Sequence, residues 1–294
     1  MIRFIQKILS TFKQEEKRFL GNFSFIDPIA QTHFEKNGFV KLQLLEEQDI
    51  NKLEDLFHRY VELEKINGVY DSMDQESAEV NLAINQKVSE IISENFNKHL
   101  NNFQLVCSVF FVKNKSKQSK VSLHIDPSLT TEQYHHLGVW IPLVDIHKEN
   151  GPFYLLKNSQ KLLPKYYHPS MPAPYLGIAS SIEPLMQEIL FTKGEILFFD
   201  NSLVHYTGAN LKESARIALI LKLIDKNAPL VTVSYNKESK EVKAYKHHQN
   251  VFLNGDFKRD HIPEDAGLLR DVSFKSTIFR EKDLPKIIKM CCND

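Results

Sequence analysis

The chain has 294 residues, 42% of them hydrophobic, which allows one sizeable core with extensions. Its 37 basic and 37 acidic side chains cancel, so no global field draws it to nucleic acid or to an anionic membrane. The three cysteines, Cys107 in an apolar run and the Cys291-Cys292 pair, form neither a disulfide framework nor a zinc pattern; they suit a reducing, cytoplasmic compartment.

Residues 1–26 read as an amphipathic N-terminal extension. Ile2, Ile5, Ile8, Leu9, Phe12 and Phe19 fall near helical spacing among Arg3, Lys7, Lys13, Lys17 and Arg18. Nothing there approaches the ~18 apolar residues of a membrane span, so a helix packed on the body is expected over a membrane-surface anchor. Asp27-Pro28 predicts a helix N-cap and first residue, and Asn37-Gly38 its stop. Phe39-Val40-Lys41-Leu42 follows as a short strand. Asp49 is expected to cap a helix bearing Ile50, Leu53, Leu56, Phe57, Tyr60, Val61 and Leu63 and ending at Asn67-Gly68, with a further helix over 82–96.

At Phe103 the hydrophobic period changes from helical to extended. Strands are predicted over 104–112, 121–125, 137–143, 153–156, 189–192, 196–199 and 217–224, with Gly, Pro, Asn or Asp between them. Many short strands after a helical N-terminal layer predict a mainly β domain over 27–230. Its core is a double-stranded β-helix, a cupin-like jelly roll. The proline-rich stretch 163–184 has a weak period and reads as a lid or binding loop. Residues 231–246 form a polar hairpin turning near Asn236-Lys237. It opens a C-terminal extension, 231–294, expected to pack on the same domain.

Three His-x-acid triplets occur, a number close to chance for this composition: His33/Glu35, His124/Asp126 and His147/Glu149. The first lies in a helical pattern, where positions two apart point to different sides. The third sits in a polar turn before Asn150-Gly151. Only His124 and Asp126 end a strand, where period two sets both side chains on one sheet face and Pro127 stops the pairing. Downstream, a turn at Lys193-Gly194 leads into a buried strand, His205 follows soon after, and Arg216 opens the apolar run Ile217-Ala218-Leu219-Ile220-Leu221. Two imidazoles and one carboxylate fill one face of an Fe(II) octahedron and leave the other open for a bidentate co-substrate and O₂. A guanidinium entering a core strand is costly unless paired. Arg216 therefore makes either a rim salt bridge to a protein carboxylate or a bidentate grip on a ligand carboxylate.

Taken together these segments resemble the phytanoyl-CoA dioxygenase family of Fe(II)/2-oxoglutarate oxygenases. The resemblance rests on His33-Phe34-Glu35-Lys36-Asn37-Gly38-Phe39-Val40, on Leu123-His124-Ile125-Asp126, and on Gly138-Val139-Trp140-Ile141-Pro142-Leu143-Val144-Asp145 leading to Glu149-Asn150-Gly151-Pro152-Phe153. It closes with Gly194-Glu195-Ile196-Leu197-Phe198-Phe199-Asp200, then His205, Gly208, Asn210 and Arg216, and so spans roughly residues 27–225. The resemblance implies that His124, Asp126 and His205 bind iron, that Arg216 binds the 5-carboxylate of 2-oxoglutarate, and that Trp140 lies beside that co-substrate. His136 shares the strand face of Trp140, as a pocket residue or as a satisfied core histidine.

Two departures bear on the site. Asn158-Ser159-Gln160 stands where the family has Gly-Ser-His, so Asn158 and Gln160 are expected beside the substrate. Ala218 stands where some relatives carry a hydroxyl that helps the arginine, which leaves Tyr206, Thr207 or a pocket tyrosine to assist Arg216. Related halogenases have a small residue at the position of Asp126, so a carboxylate there implies hydroxylation, desaturation or epimerisation over halogenation. The expected activity is hydroxylation of an unactivated C–H bond in a small molecule, with release of succinate and CO₂. The 163–184 loop and the C-terminal hairpin could cover a small molecule or form a docking surface for a carrier protein. A cupin-like metalloprotein with other chemistry, a non-catalytic binding module, and a hydroxylase of a peptide or carrier-bound substrate are the alternatives.

Overall fold

The computed structural model describes residues 22–163, 166–247, 267–272 and 278–292. The amphipathic helix expected at the N-terminus lies outside the described residues.

The N-terminal layer forms where capping chemistry starts it. Helix α1 (Pro28–Asn37) begins under Asp27, whose carboxylate accepts the amides of Ile29 and Ala30, and it ends at Gly38 in the left-handed region, φ +83°. Helix α2 (Glu47–Tyr60) departs from expectation at both ends. It starts two residues before Asp49 and stops well short of Asn67-Gly68. Asp49 is no cap; its carboxylate takes an amide hydrogen from Asn95 at 2.7 Å and so ties α2 to the next helix. That helix, α3 (Ala78–His99), begins under Ser77, whose hydroxyl accepts the Val80 amide, four residues earlier than the apolar period suggests.

The strands are β1 (Phe39–Gln43), β2 (Phe103–Lys113), β3 (Val121–His124), β4 (His136–Pro142), β5 (Phe153–Leu155), β6 (Gln187–Ile189), β7 (Glu195–Asp200), β8 (His205–Thr207), β9 (Arg216–Asp225), β10 (Val231–Tyr235), β11 (Val242–Lys246) and β12 (Gly267–Val272). The larger sheet has the order β1-β7-β4-β9-β2 with Val69–Asp71 at its edge, and the smaller has the order β3-β8-β5-β6. From β2 to β9 the chain crosses repeatedly between the two sheets, all neighbours being antiparallel. This is the winding of a jelly roll.

The larger sheet separates two environments. Ile217, Leu219, Leu221 and Leu223 of β9 face outward and share one core with Ile50, Leu53 and Phe57 of α2 and Ile84, Val88 and Phe96 of α3. The alternate residues point into the sandwich, where Ala218 joins Trp140, Phe153, Leu197 and Phe199. Gly138 is required there, since a Cβ on it would lie 2.1 Å from the Phe199 ring. The 163–184 stretch folds into single turns, Leu176–Ile178 and Ala179–Ile182. Its Tyr166, Tyr167, Tyr175 and Ile178 pack on Ile125 and Val204 behind β3 and β8. Hairpin residues Val233 and Val242 and the terminal helix α4 (Leu284–Cys291), through Ile287, close the same cluster.

Candidate metal centre

Antiparallel pairing of β3 with β8 sets His124 directly opposite His205, with ring centroids 4.1 Å apart. Asp126 lies just past the end of β3. One of its carboxylate oxygens is 3.8 Å from Nε2 of His124 and the other 3.8 Å from Nε2 of His205. One ligand atom from each residue lies within 4.8 Å of the others, a grouping found once among the described residues. Both imidazoles are held from behind. Nδ1 of His124 donates to the Ser122 carbonyl at 2.8 Å, and Nδ1 of His205 to the Leu203 carbonyl at 2.9 Å. A carbonyl only accepts, so Nδ1 carries the proton and the Nε2 lone pair is left for a metal.

The electrostatics agree with that use. Burial, and next the neighbouring His124, push the pKa of His205 down to about 3, so its ring is neutral. Burial opposes the charge on Asp126, but the Lys222 ammonium outweighs it and holds the carboxyl well below the usual range. Phe153 stacks on His205 at 5.2 Å and Phe199 leans on it at 4.9 Å, giving the centre an apolar wall.

Arg216 is the most unusual residue of the inner face of β9. It is fully buried, with its guanidinium carbon 5.1 Å from the Trp140 ring and 5.7 Å from that of Phe111. None of its three nitrogens has a hydrogen-bond partner among the described residues. Burial lowers its pKa to about 9. Among the described residues no carboxylate answers it, so the rim salt bridge is not seen there. A buried, unanswered fork of this kind fits a carboxylate delivered by a ligand.

Residues 6–218 match the profile of the phytanoyl-CoA dioxygenase (PhyH) family. The chain belongs to that family. Membership places it among Fe(II)- and 2-oxoglutarate-dependent enzymes. Among solved structures, the chain is similar to the non-heme α-ketoglutarate-dependent carbocyclase SnoK from nogalamycin biosynthesis, at 17% identity and TM-score 0.51 over 70% of this chain and 86% of that one. It is also similar to the epimerase SnoN in complex with Fe³⁺, α-ketoglutarate and nogalamycin RO, at 16% identity and TM-score 0.52 over 83% of this chain and all of that one. At such identities the likeness is one of fold. No curated protein matches the sequence.

The remaining predicted residues of this PhyH chain are distributed unevenly. Trp140 lies between Arg216, Phe153 and Phe191. His136 is buried at the start of β4, opposite Ile224. Asn158 and Gln160 join the α1–β1 junction instead: the Asn158 amide donates to the Asn37 carbonyl, and the Gln160 side chain presses on Gly38. Between them, the Ser159 hydroxyl accepts the Val204 amide, so the loop touches the chain one residue before His205. Tyr206 stacks on Tyr154 at 4.4 Å, on the face of β8 away from the centre, and does not assist Arg216. His33 packs on Phe39, and His147 lies in a turn closed by Asn150; neither joins the cluster.

Three residues of the sandwich interior, Lys113, Lys222 and Asn201, were not singled out by the sequence. Lys113 is the cross-strand partner of Arg216, fully buried, and donates to the Thr207 hydroxyl and the Gly208 carbonyl, each at 2.7 Å. Burial, and then Arg216, lower its pKa to about 6. Thr207 is two residues along β8 from His205 and shares its face, so the hydroxyl that holds the Lys113 amine lies on the side of the sheet that bears this imidazole. Lys222 pairs with Asp126, and Asn201 accepts from the same ammonium at 3.0 Å. The only signal for these lysines is their inward parity in apolar strands.

Proposed function

We propose that the protein is an Fe(II)- and 2-oxoglutarate-dependent dioxygenase that hydroxylates an unactivated C–H bond of a small molecule. The observation that carries this reading is the buried guanidinium of Arg216, unpartnered among the described residues, on the inner face of the larger sheet, linked through Trp140 and Phe153 to the His124–Asp126–His205 cluster on the facing smaller sheet. His124, Asp126 and His205 would hold the iron as a facial set of three. Arg216 would grip the far carboxylate of 2-oxoglutarate through its fork, with the Lys113 ammonium and the Thr207 hydroxyl completing the seat. Trp140 would flank the chain of the co-substrate.

When bound, iron with 2-oxoglutarate and O₂ supplies oxidation of a substrate C–H bond, with release of succinate and CO₂. The protein's part is to bind, orient and keep the centre dry. Phe153 and Phe199 wall it off beside His205, and the donated Nδ1 hydrogens keep both imidazoles in register. Asp126 fills with a carboxylate the position where halogenation would need room for a halide, which favours hydroxylation, desaturation or epimerisation over halogenation. A secondary metabolite is the proposed class of substrate, since SnoN, of the same fold, was crystallised with nogalamycin RO.

The test is to titrate 2-oxoglutarate into the anaerobic Fe(II)-loaded protein and follow the visible metal-to-ligand charge-transfer band. The band should form, should vanish in His205→Ala, and should persist in His147→Ala. Bound iron without a band would make Arg216 a structural residue and favour a metalloprotein of other chemistry. Once a substrate is in hand, a product heavier by one oxygen atom supports hydroxylation, whereas a product of unchanged mass points to epimerisation.

A further inference from the structure

Asp126 is the least supported of the three ligands by its own backbone. His124 and His205 sit in paired strands, while Asp126 follows the end of β3 and precedes Pro127, which has no amide hydrogen to offer a ladder. A carboxylate there has two free torsions and two equivalent oxygens. Something else must choose its rotamer and decide which oxygen faces inward.

Lys222 and Asn201 are built to do so. Lys222 lies on the inner parity of β9, opposite Gly138, and its side chain is only 15% exposed. Its ammonium pairs with Oδ2 of Asp126, donates to Oδ1 of Asn201 at 3.0 Å, and lies 5.6 Å from the Phe199 ring centroid. Asn201, fully buried in the turn between β7 and β8, holds the backbone on both sides of the carboxylate. Its carbonyl accepts the Asp126 amide at 3.1 Å, and its side-chain amide donates to the Pro127 carbonyl at 2.6 Å. Oδ2, 3.8 Å from Nε2 of His205, is the oxygen that the lysine holds, which leaves Oδ1, 3.8 Å from Nε2 of His124, free of the ammonium.

We propose that Lys222, working with Asn201, is a positioning residue that fixes the Asp126 carboxylate so that one oxygen is presented to the metal. This rests on the reading of Asp126 as a metal ligand. Lys222 touches the ligand and not the metal, and its action is to replace rotational freedom of the carboxylate with one orientation. A bare counterion would act in the opposite sense. A cation next to a metal site repels the metal, so an ammonium that merely neutralised Asp126 would weaken binding, and its removal would strengthen it. The sign of the effect separates the two.

The experiment is to titrate Co(II) into the metal-free full-length protein and read affinity and ligand-field spectrum by visible absorption. Wild type is compared with Lys222→Met, Lys222→Gln and Lys222→Arg, each checked for folding by circular dichroism and melting. Lys222→Met should bind Co(II) about 10–100-fold more weakly, the usual cost of losing such an outer partner, and with an altered spectrum. Lys222→Arg, which still donates to the carboxylate, should restore both. If Lys222→Met does not fold, Lys222→Gln is read in its place and should weaken binding in the same direction. Equal or tighter Co(II) binding in either neutral variant overturns the proposal. If wild type binds no Co(II), or His205→Ala binds it equally well, the metal reading itself has failed, and that outcome is distinct from failure of the lysine's role.

Discussion

The two faces of the larger sheet are made from alternate residues of the same strands, yet they are governed by different physics. On the outer face, Leu219, Leu221, Phe110, Val139 and Phe198 meet α2 and α3 in an apolar core. On the inner face the same strands bury Arg216 and Lys113 completely and Lys222 nearly so. Outer positions stabilise in proportion to the apolar area they hide, on the order of 25 cal/mol per Å². On the inner side Lys222 is answered by Asp126, whereas Arg216, with no partner among the described residues, costs free energy unless an anion joins it. A strand can serve both ends because period two keeps the residues of one face out of the other.

The largest effect expected from this contrast is on the outer face. Phe198 is fully buried and meets Phe25 and Phe96 at ring distances of 5.4 and 5.6 Å. Phe198→Ala should cost about 3–5 kcal/mol of folding stability, measured by denaturant unfolding. At temperatures where the variant stays folded, its affinity for 2-oxoglutarate should be unchanged. A collapse of that affinity would break the separation of the two faces.

On the inner face the sign reverses. Arg216→Met replaces an unanswered buried charge with an apolar chain of similar length. The metal-free protein should gain about 1–4 kcal/mol, the range seen when buried charges give way to well-packed apolar groups. The same variant should lose 2-oxoglutarate binding by about 100-fold or more, since a fully desolvated charge-assisted contact is worth several kcal/mol. A variant that is less stable and still binds the co-substrate would show that Arg216 serves packing.

What the sequence disclosed follows from the same alternation. His124 and Asp126 were legible because period two and Pro127 put them on one face at a strand end. Arg216 was legible because a charge opening an apolar run is costly enough to need a reason. The jelly-roll class came from the spacing of the short strands. Its winding did not, because β8 spans three residues after a polar turn and becomes a strand only when β3 and β5 flank it. Lys113 and Lys222 escaped notice because a lysine in or at the end of a strand ordinarily carries its ammonium out to water. Only the partners at Thr207 and Asp126, supplied by strands distant in sequence, show that these two turn inward. Asn158 and Gln160 were drawn toward the substrate by likeness of sequence position. The contact of Gln160 with Gly38, which has no Cβ to exclude it, holds that loop against α1.

The smallest effect is a slope with pH, and it comes from Lys113. In the folded protein this amine titrates at about 6, against 10.5 for an ordinary lysine, because burial and then Arg216 disfavour its charge. Between those values the unfolded chain binds more protons at this residue than the folded one, so its contribution makes stability rise with pH through the window and level off below it. Lys113→Met should flatten that part of the curve. Binding of 2-oxoglutarate would bring a carboxylate beside the amine and favour its charged form. Within the window the Fe(II)-loaded protein should therefore take up protons as it binds the co-substrate, and apparent affinity should fall as pH rises. Calorimetry in buffers of different ionisation enthalpy measures the uptake directly. Uptake in wild type that disappears in Lys113→Met places the lysine in the carboxylate seat. No uptake in either would mean that the ammonium is already charged, held by Thr207 and Gly208 alone, and that Arg216 grips the ligand without it.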